Sequence, residues 1–122
     1  TVPVALTGGF RSASDMEEAV AEGLTDLVRI GRPLTLIPDL PQRILHGAGR
    51  RRIDLPRVST GVKMLDDMLG GVLFIGWYEM QMHRLARGRY ASARGNGFAA
   101  LAFTVRRHGL GALMPRRVGR RG

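Results

Sequence analysis

The chain has no cysteine, which removes disulfide frameworks and thiol chemistry at once. No apolar run approaches the roughly 20 residues of a bilayer-spanning helix; the longest, around Gly71 to Ile75, is far shorter. No basic segment precedes an apolar core at the start, so no secretory signal is read there. A soluble cytoplasmic protein with no membrane partner is the expectation. Histidine is scarce. His46, His83 and His108 lie far apart, and no His-x-x-His or Glu-x-x-His spacing joins them, so no metal site is expected. His83 follows Glu79 at helical spacing, which suits a surface hydrogen bond. The Arg clusters carry no interleaved aromatics, which speaks against a nucleic-acid stacking platform.

What is present is charge, unevenly placed. The formal net charge is +9 over 122 residues. Up to Gly49 four arginines face six carboxylates; from Arg50 onward fifteen Arg and Lys face four Asp and Glu. Eighteen of the nineteen basic residues are Arg, and nine of those fall in Arg50-Arg51-Arg52, Arg106-Arg107, Arg116-Arg117 and Arg120-Arg121. Such asymmetry fits a solvated basic tail, and it also fits an acidic partner such as nucleic acid or a lipid surface.

The first third is organised as strand, helix, strand. Val2 to Leu6 reads as a buried parallel strand, Thr7-Gly8-Gly9-Phe10 as a glycine turn, and Ser14 to Glu22 as a helix capped by Ser12 or Ser14. Met16, Ala19, Val20 and Leu24 fall on one side of that helix, and Gly23 suits its end. Asp26 to Ile30 reads as a second strand running into Gly31-Arg32-Pro33. Glycine at the carboxyl end of each strand leaves backbone N–H groups open to an anion, and Arg32 adds a bidentate donor. Two such loops side by side make a phosphate cup. The plainer alternatives are a turn that demands positive φ at Gly8 and Gly9, and a salt bridge from Arg32 to Asp39. Two parallel strands cannot bury both of their faces alone, and the chain opens on Thr1 at a strand. Both features suggest a chain that begins mid-domain.

The rest reads as helical. Pro33 starts a short helix with Leu34, Leu36 and Ile37 on its apolar side, and Gln42 to Leu45 form another, ended by Gly47. The stretch from His46 to Ser59, rich in Gly and Arg with Pro56, reads as a linker or surface loop. Thr60 to Leu69 and Trp77 to Ala86 read as two helices separated by Gly70-Gly71. Arg87 to Gly97 reads as a loop and Phe98 to Arg107 as a third helix, followed by a frayed end. Trp77, Met80 and Met82 suggest an apolar face that docks on a barrel or another subunit. Tyr78 and Tyr90 are the only tyrosines. Residues 1–49 and 50–122 are the two expected domains, the second a basic helical extension.

Three runs carry a resemblance: Pro3 to Arg11, Ala21 to Val28, and Ile30 to Leu34 with Pro38-Asp39-Leu40-Pro41. In this order and spacing they resemble the carboxyl end of the old yellow enzyme family, the NADH:flavin oxidoreductases that include 2,4-dienoyl-CoA reductase-like ene-reductases. Trp77 to Leu85 resembles the tail helix of some bacterial members. The resemblance implies an α/β fold, the carboxyl-terminal fragment of a (β/α)8 TIM barrel, with strands 7 and 8 followed by a helical tail. It implies FMN as cofactor and NAD(P)H as reductant. Gly8, Gly9 and Gly31 would offer amides to the FMN phosphate, and Arg32 would reach the phosphate or the flavin's polar edge. Phe10 would sit near the ring edge.

The implied reaction is hydride transfer to an activated alkene, with a small enone or enoyl-type substrate. The family's substrate-polarising pair and proton-donating Tyr lie upstream, so no catalytic residue is assigned in this chain. The implied partners are the missing amino-terminal part of the barrel and a second subunit met through the tail helices, where Arg84 or Arg87 could reach a neighbour's site. Another FMN enzyme or phosphate-binding barrel, and a non-catalytic Arg-rich binding module, are the alternatives.

Overall fold

The computed structural model describes residues 2–47, 52–92 and 94–114. The chain is α/β and mostly helical. It divides into two compact units, Thr1–Leu55 and Pro56–Gly122.

The first unit is built around a parallel strand pair. β1 (Ala5–Thr7) pairs with β2 (Leu27–Arg29) in the register Ala5↔Leu27, Leu6↔Val28 and Thr7↔Arg29. Both strands are shorter than the sequence suggests, and β1 begins three residues later. The start of the pair is clasped by side chains. Buried Thr25 accepts from the Leu6 amide at 3.0 Å, and its hydroxyl lies 2.9 Å from the carbonyls of Val4 and Leu27. The Asp26 carboxylate accepts from the Val4 amide at 2.7 Å. With only three ladder pairs, such clasps supply much of the local order. The expectation of buried strands does not hold among the described residues: Val2, Val4, Leu6 and Leu27 are exposed, because no further strand or helix covers them.

α1 (Ala13–Ala21) starts where Ser12 Oγ accepts from the Asp15 amide at 3.2 Å. Asp15 in its first turn favours the positive end of the helix dipole. Ala13 and Ala19 are buried and Met16 is half-buried, while Val20 and Leu24 face outward. The helix ends at Gly23, whose φ of +70° is one that an L side chain rarely adopts. A 3₁₀ turn over Arg32–Thr35 and α2 (Leu40–Leu45) complete the succession of elements. The unit extends past the expected boundary at residue 49. The buried Ile53 donates its amide to the Arg11 carbonyl at 2.6 Å, tying part of the expected linker back to the β1–α1 loop. The Arg50-Arg51 part of the expected linker lies outside the described residues.

The second unit is a helical hairpin. α3 (Lys63–Ala86) is one unbroken helix of 24 residues, which corrects the expected interruption at Gly70-Gly71. Each glycine costs about 1 kcal/mol of helix propensity, and the buried inner face of α3 offsets that cost. Leu69, Leu73, Gly76, Trp77 and Gln81 form that face, against Ala100 and Thr104 of α4 (Gly97–His108). α4 starts where Asn96 Oδ1 accepts from the Ala99 amide at 3.1 Å. Trp77 is fully buried and its Nε1 donates to the Arg94 carbonyl at 3.1 Å. The expected docking role for Trp77 is therefore corrected: it builds the core of its own unit. Gln81, equally buried, accepts from the Ser92 amide at 2.7 Å.

Glu79 turns away from His83 and meets His108 Nε2 at 2.9 Å, clasping α3 to the end of α4, while the His83 ring packs 5.4 Å from Phe103. Arg84 gives both Nε and Nη2 to the Tyr90 carbonyl, each at 3.1 Å. A 3₁₀ turn over Leu110–Leu113 follows α4. The expected frayed end beyond Met114 lies outside the described residues.

Candidate anion-binding site

The loops that leave β1 and β2 open on one small concavity. Gly8, Gly9, Phe10, Arg11, Ile30, Gly31, Arg32, Pro33 and Leu55 line it. All four glycine and arginine positions singled out from the sequence are therefore in one place. Parallel pairing explains why: both strands end on the same side of the sheet, so their carboxyl-terminal loops are neighbours.

The backbone decides which of these residues can donate. Gly8 and Gly9 have φ of +90° and +85°, so two successive residues adopt a conformation that favours glycine. The Gly8 amide is already committed: it donates to the Arg29 carbonyl at 3.3 Å and extends the strand pair by one rung. Gly8 thus shapes the turn, and the expectation that its amide is open does not hold. No described residue accepts from the amides of Gly9, Phe10 or Gly31. At Gly8, Gly9 and Gly31 nothing lies within 4 Å of where a Cβ would stand, so that space is open rather than packed.

Two cations border the concavity, Arg32 and Arg11. Arg11 was not apparent from the sequence because its place depends on the turn at Gly8-Gly9. The suggested Arg32–Asp39 salt bridge is replaced by Arg43, whose Nε donates to Asp39 at 2.8 Å and holds that carboxyl below its ordinary pKa. The space available is about 40 Å³. A single water needs roughly 10–15 Å³, so the concavity has room for a small group such as an oxyanion. A whole cofactor pocket is usually about 300–1,000 Å³.

The second unit has an open hollow of about 480 Å³ at the start of α3, lined by Arg57, Ser59, Gly61, Lys63, Asp66 and Asp67. Its centre is a structural clasp. Asp66 accepts from Ser59 Oγ at 2.5 Å, the Thr60 amide at 2.8 Å and Thr60 Oγ1 at 2.7 Å. Those donors, the Ser59 hydroxyl foremost, lower its pKa to about 2.

The first unit, then, is a strand–helix–strand element whose two strand-end loops form an oxyanion-sized cup. Sequence comparison finds relatives over part of the chain. Over 45 residues the chain is 47% identical to the NADH-dependent flavin oxidoreductase iccE of Talaromyces variabilis, a stretch covering 37% of this chain and 11% of that protein. Over 41 residues it is 49% identical to the NADH-dependent flavin oxidoreductase iliE of Neonectria sp. (strain DH2), covering 34% of this chain and 5% of that protein. Over 44 residues it is 43% identical to iliE of Hypocrea jecorina (strain QM6a), covering 36% and 11%. Along that partial stretch the chain is similar to proteins named NADH-dependent flavin oxidoreductases, consistent with an old yellow enzyme-like family fragment. The matched stretch spans about a tenth or less of the length of these relatives. No family model and no solved structure matches the chain.

Proposed function

We propose that residues 1–49 carry the last two strand–helix units of a (β/α)8 barrel, and that the cup between them grips the phosphate of FMN in an NAD(P)H-dependent oxidoreductase. One observation carries this reading. The amides of Gly9, Phe10 and Gly31 have no acceptor among the described residues, and they stand at one oxyanion-sized concavity bordered by Arg11 and Arg32. Amides without an acceptor, beside two guanidiniums, suit a group with nearly two negative charges. In barrels of this class the loops after the last two strands are a frequent phosphate site. The residues present therefore fit the phosphate end of the cofactor.

FMN bound there would supply the two-electron carrier, with NADH as the reductant named for the relatives and an activated alkene as acceptor. This chain's contribution is grip and orientation. Gly9, Phe10 and Gly31 donate from the backbone, Gly8 sets the turn, and Arg32 and Arg11 neutralise charge. In the family the chain resembles, the catalytic donors and the proton source lie on earlier strands, so no catalytic role is proposed for residues of this chain.

Comparing FMN with riboflavin, which lacks the phosphate, tests the reading by fluorescence quenching. FMN should bind at least about tenfold more tightly, a difference of about 1.4 kcal/mol. Arg32→Gln should narrow the gap by weakening FMN alone. Equal affinity for the two flavins would refute the assignment of the cup.

A further inference from the structure

The two units differ in charge. Residues 1–55 hold seven Arg and seven Asp or Glu, a net of zero; residues 56–122 hold twelve Arg and Lys against three Asp and Glu, a net of +9. The whole excess of the chain thus belongs to the helical unit. Its three carboxylates are already engaged: Asp66 by Ser59 and Thr60, Asp67 by Lys63, and Glu79 by His108. Arg87, Arg89, Arg106 and Arg107 are exposed, and no carboxylate among the described residues pairs with them.

The same unit has an apolar stripe facing out. Met68, Ile75 and Met82 recur at seven-residue spacing on α3, on the side opposite the buried Trp77, and Met64 adds a further turn. Their exposures are 67%, 67%, 50% and 70%. From Met64 to Met82 the stripe runs about 27 Å at 1.5 Å per residue. Gly71 lies in line with it and is also exposed. α3 is therefore apolar on both sides, and among the described residues only one side has a partner in its own unit. Among the described residues no helix is long and apolar enough to cross a membrane.

We propose that the outer face of α3 lies on an anionic lipid surface. The unit's net charge of +9 would draw it to the headgroups, and Met64, Met68, Ile75 and Met82 would enter the headgroup–acyl boundary. An apolar helix face on a strongly cationic unit is the combination that draws a helix to an anionic interface and holds it there. Methionine suits that boundary because its chain is flexible and apolar. Charge selects this occupant over the others. Two copies of a +9 unit repel, which disfavours self-pairing through the stripe. A nucleic acid would gain nothing from four exposed apolar side chains without stacking aromatics. The inference is independent of the flavin reading, because it rests on the other unit.

The test is sedimentation of the full chain with vesicles of phosphatidylcholine alone and with about a third phosphatidylserine, where each surface cation adds to binding. Binding should be about tenfold or more stronger to the anionic vesicles and should weaken as salt is raised. Ile75→Glu and Met68→Glu, both on the exposed face, should each cut that binding about tenfold while circular dichroism stays unchanged. Arg87→Glu with Arg89→Glu should weaken it without touching the stripe. Absence of binding to either vesicle would overturn the proposal. So would binding that Ile75→Glu leaves intact, a dimer by light scattering that Met68→Glu dissolves, or tighter binding to duplex DNA that the Glu variants do not alter.

Discussion

Gly76→Ala asks whether the hairpin is held by close helix contact. Gly76 faces α4, and an added Cβ would overlap Thr104 Oγ1 and stand 3.2 Å from the Ala100 carbonyl oxygen. Thr104 is buried, and its hydroxyl donates to that same carbonyl at 2.9 Å. Relief requires Thr104 to rotate and give up this bond, or the helices to part. Alanine gains about 1 kcal/mol of helix propensity over glycine. Against that stand an overpacking cost of about 1–3 kcal/mol and a lost hydrogen bond worth about 0.5–1.5 kcal/mol. The net should be destabilisation by about 1–3 kcal/mol. Guanidinium titration followed by Trp77 fluorescence reads it directly, because Trp77 is the chain's one tryptophan and sits buried beside the substitution. In the double variant with Thr104→Ala the overlap is gone, and the two changes should couple favourably by about 1–2 kcal/mol. A Gly76→Ala chain more stable than the parent, or additive behaviour in the double variant, would refute the close contact.

Gln81→Leu leaves the Ser92 amide without its 2.7 Å acceptor inside the hairpin, so a loss of about 1–3 kcal/mol is expected in the same titration. Asp66 titrates near 2 when folded, below its ordinary 3.8. Its contribution is therefore present above pH 3.8 and drains away as pH falls toward 2. Asp66→Asn should flatten the acid limb of the Trp77 melting temperature against pH; an unchanged limb would show that the clasp does not matter. Gly9→Ala places a side chain at φ +85°, a strain of about 1–2 kcal/mol, and should erode the preference for FMN over riboflavin. Full retention of that preference would mean the turn does not present the Gly9 amide.

The local elements were legible where a single signal governs them. Ser12 and Gly23 bound α1 within a residue of the expectation, and the glycine-ended strands placed Gly8, Gly9, Gly31 and Arg32 around one concavity. What failed depended on tertiary context. Gly70-Gly71 looks like a break, yet packing of Leu69, Leu73 and Trp77 carries α3 straight through it. The glycine that matters for packing is Gly76, which reads as unexceptional until α4 is in place. Glu79 has His83 one turn on, but its partner His108 is reached only because the hairpin folds back. Arg11 and Leu55 joined the cup through a backbone bond from Ile53, invisible to any local pattern.

A sheet of two strands has two rims and no interior. Beyond the rungs shared by β1 and β2, each strand turns a row of backbone donors and acceptors outward, next to uncovered Val4, Leu6 and Leu27. Such rims recruit whatever extended peptide comes near. Made at high concentration, this chain should therefore be lost to intermolecular strand addition and deposit as β-rich aggregate, and supplying extended segments in trans should compete with that deposition.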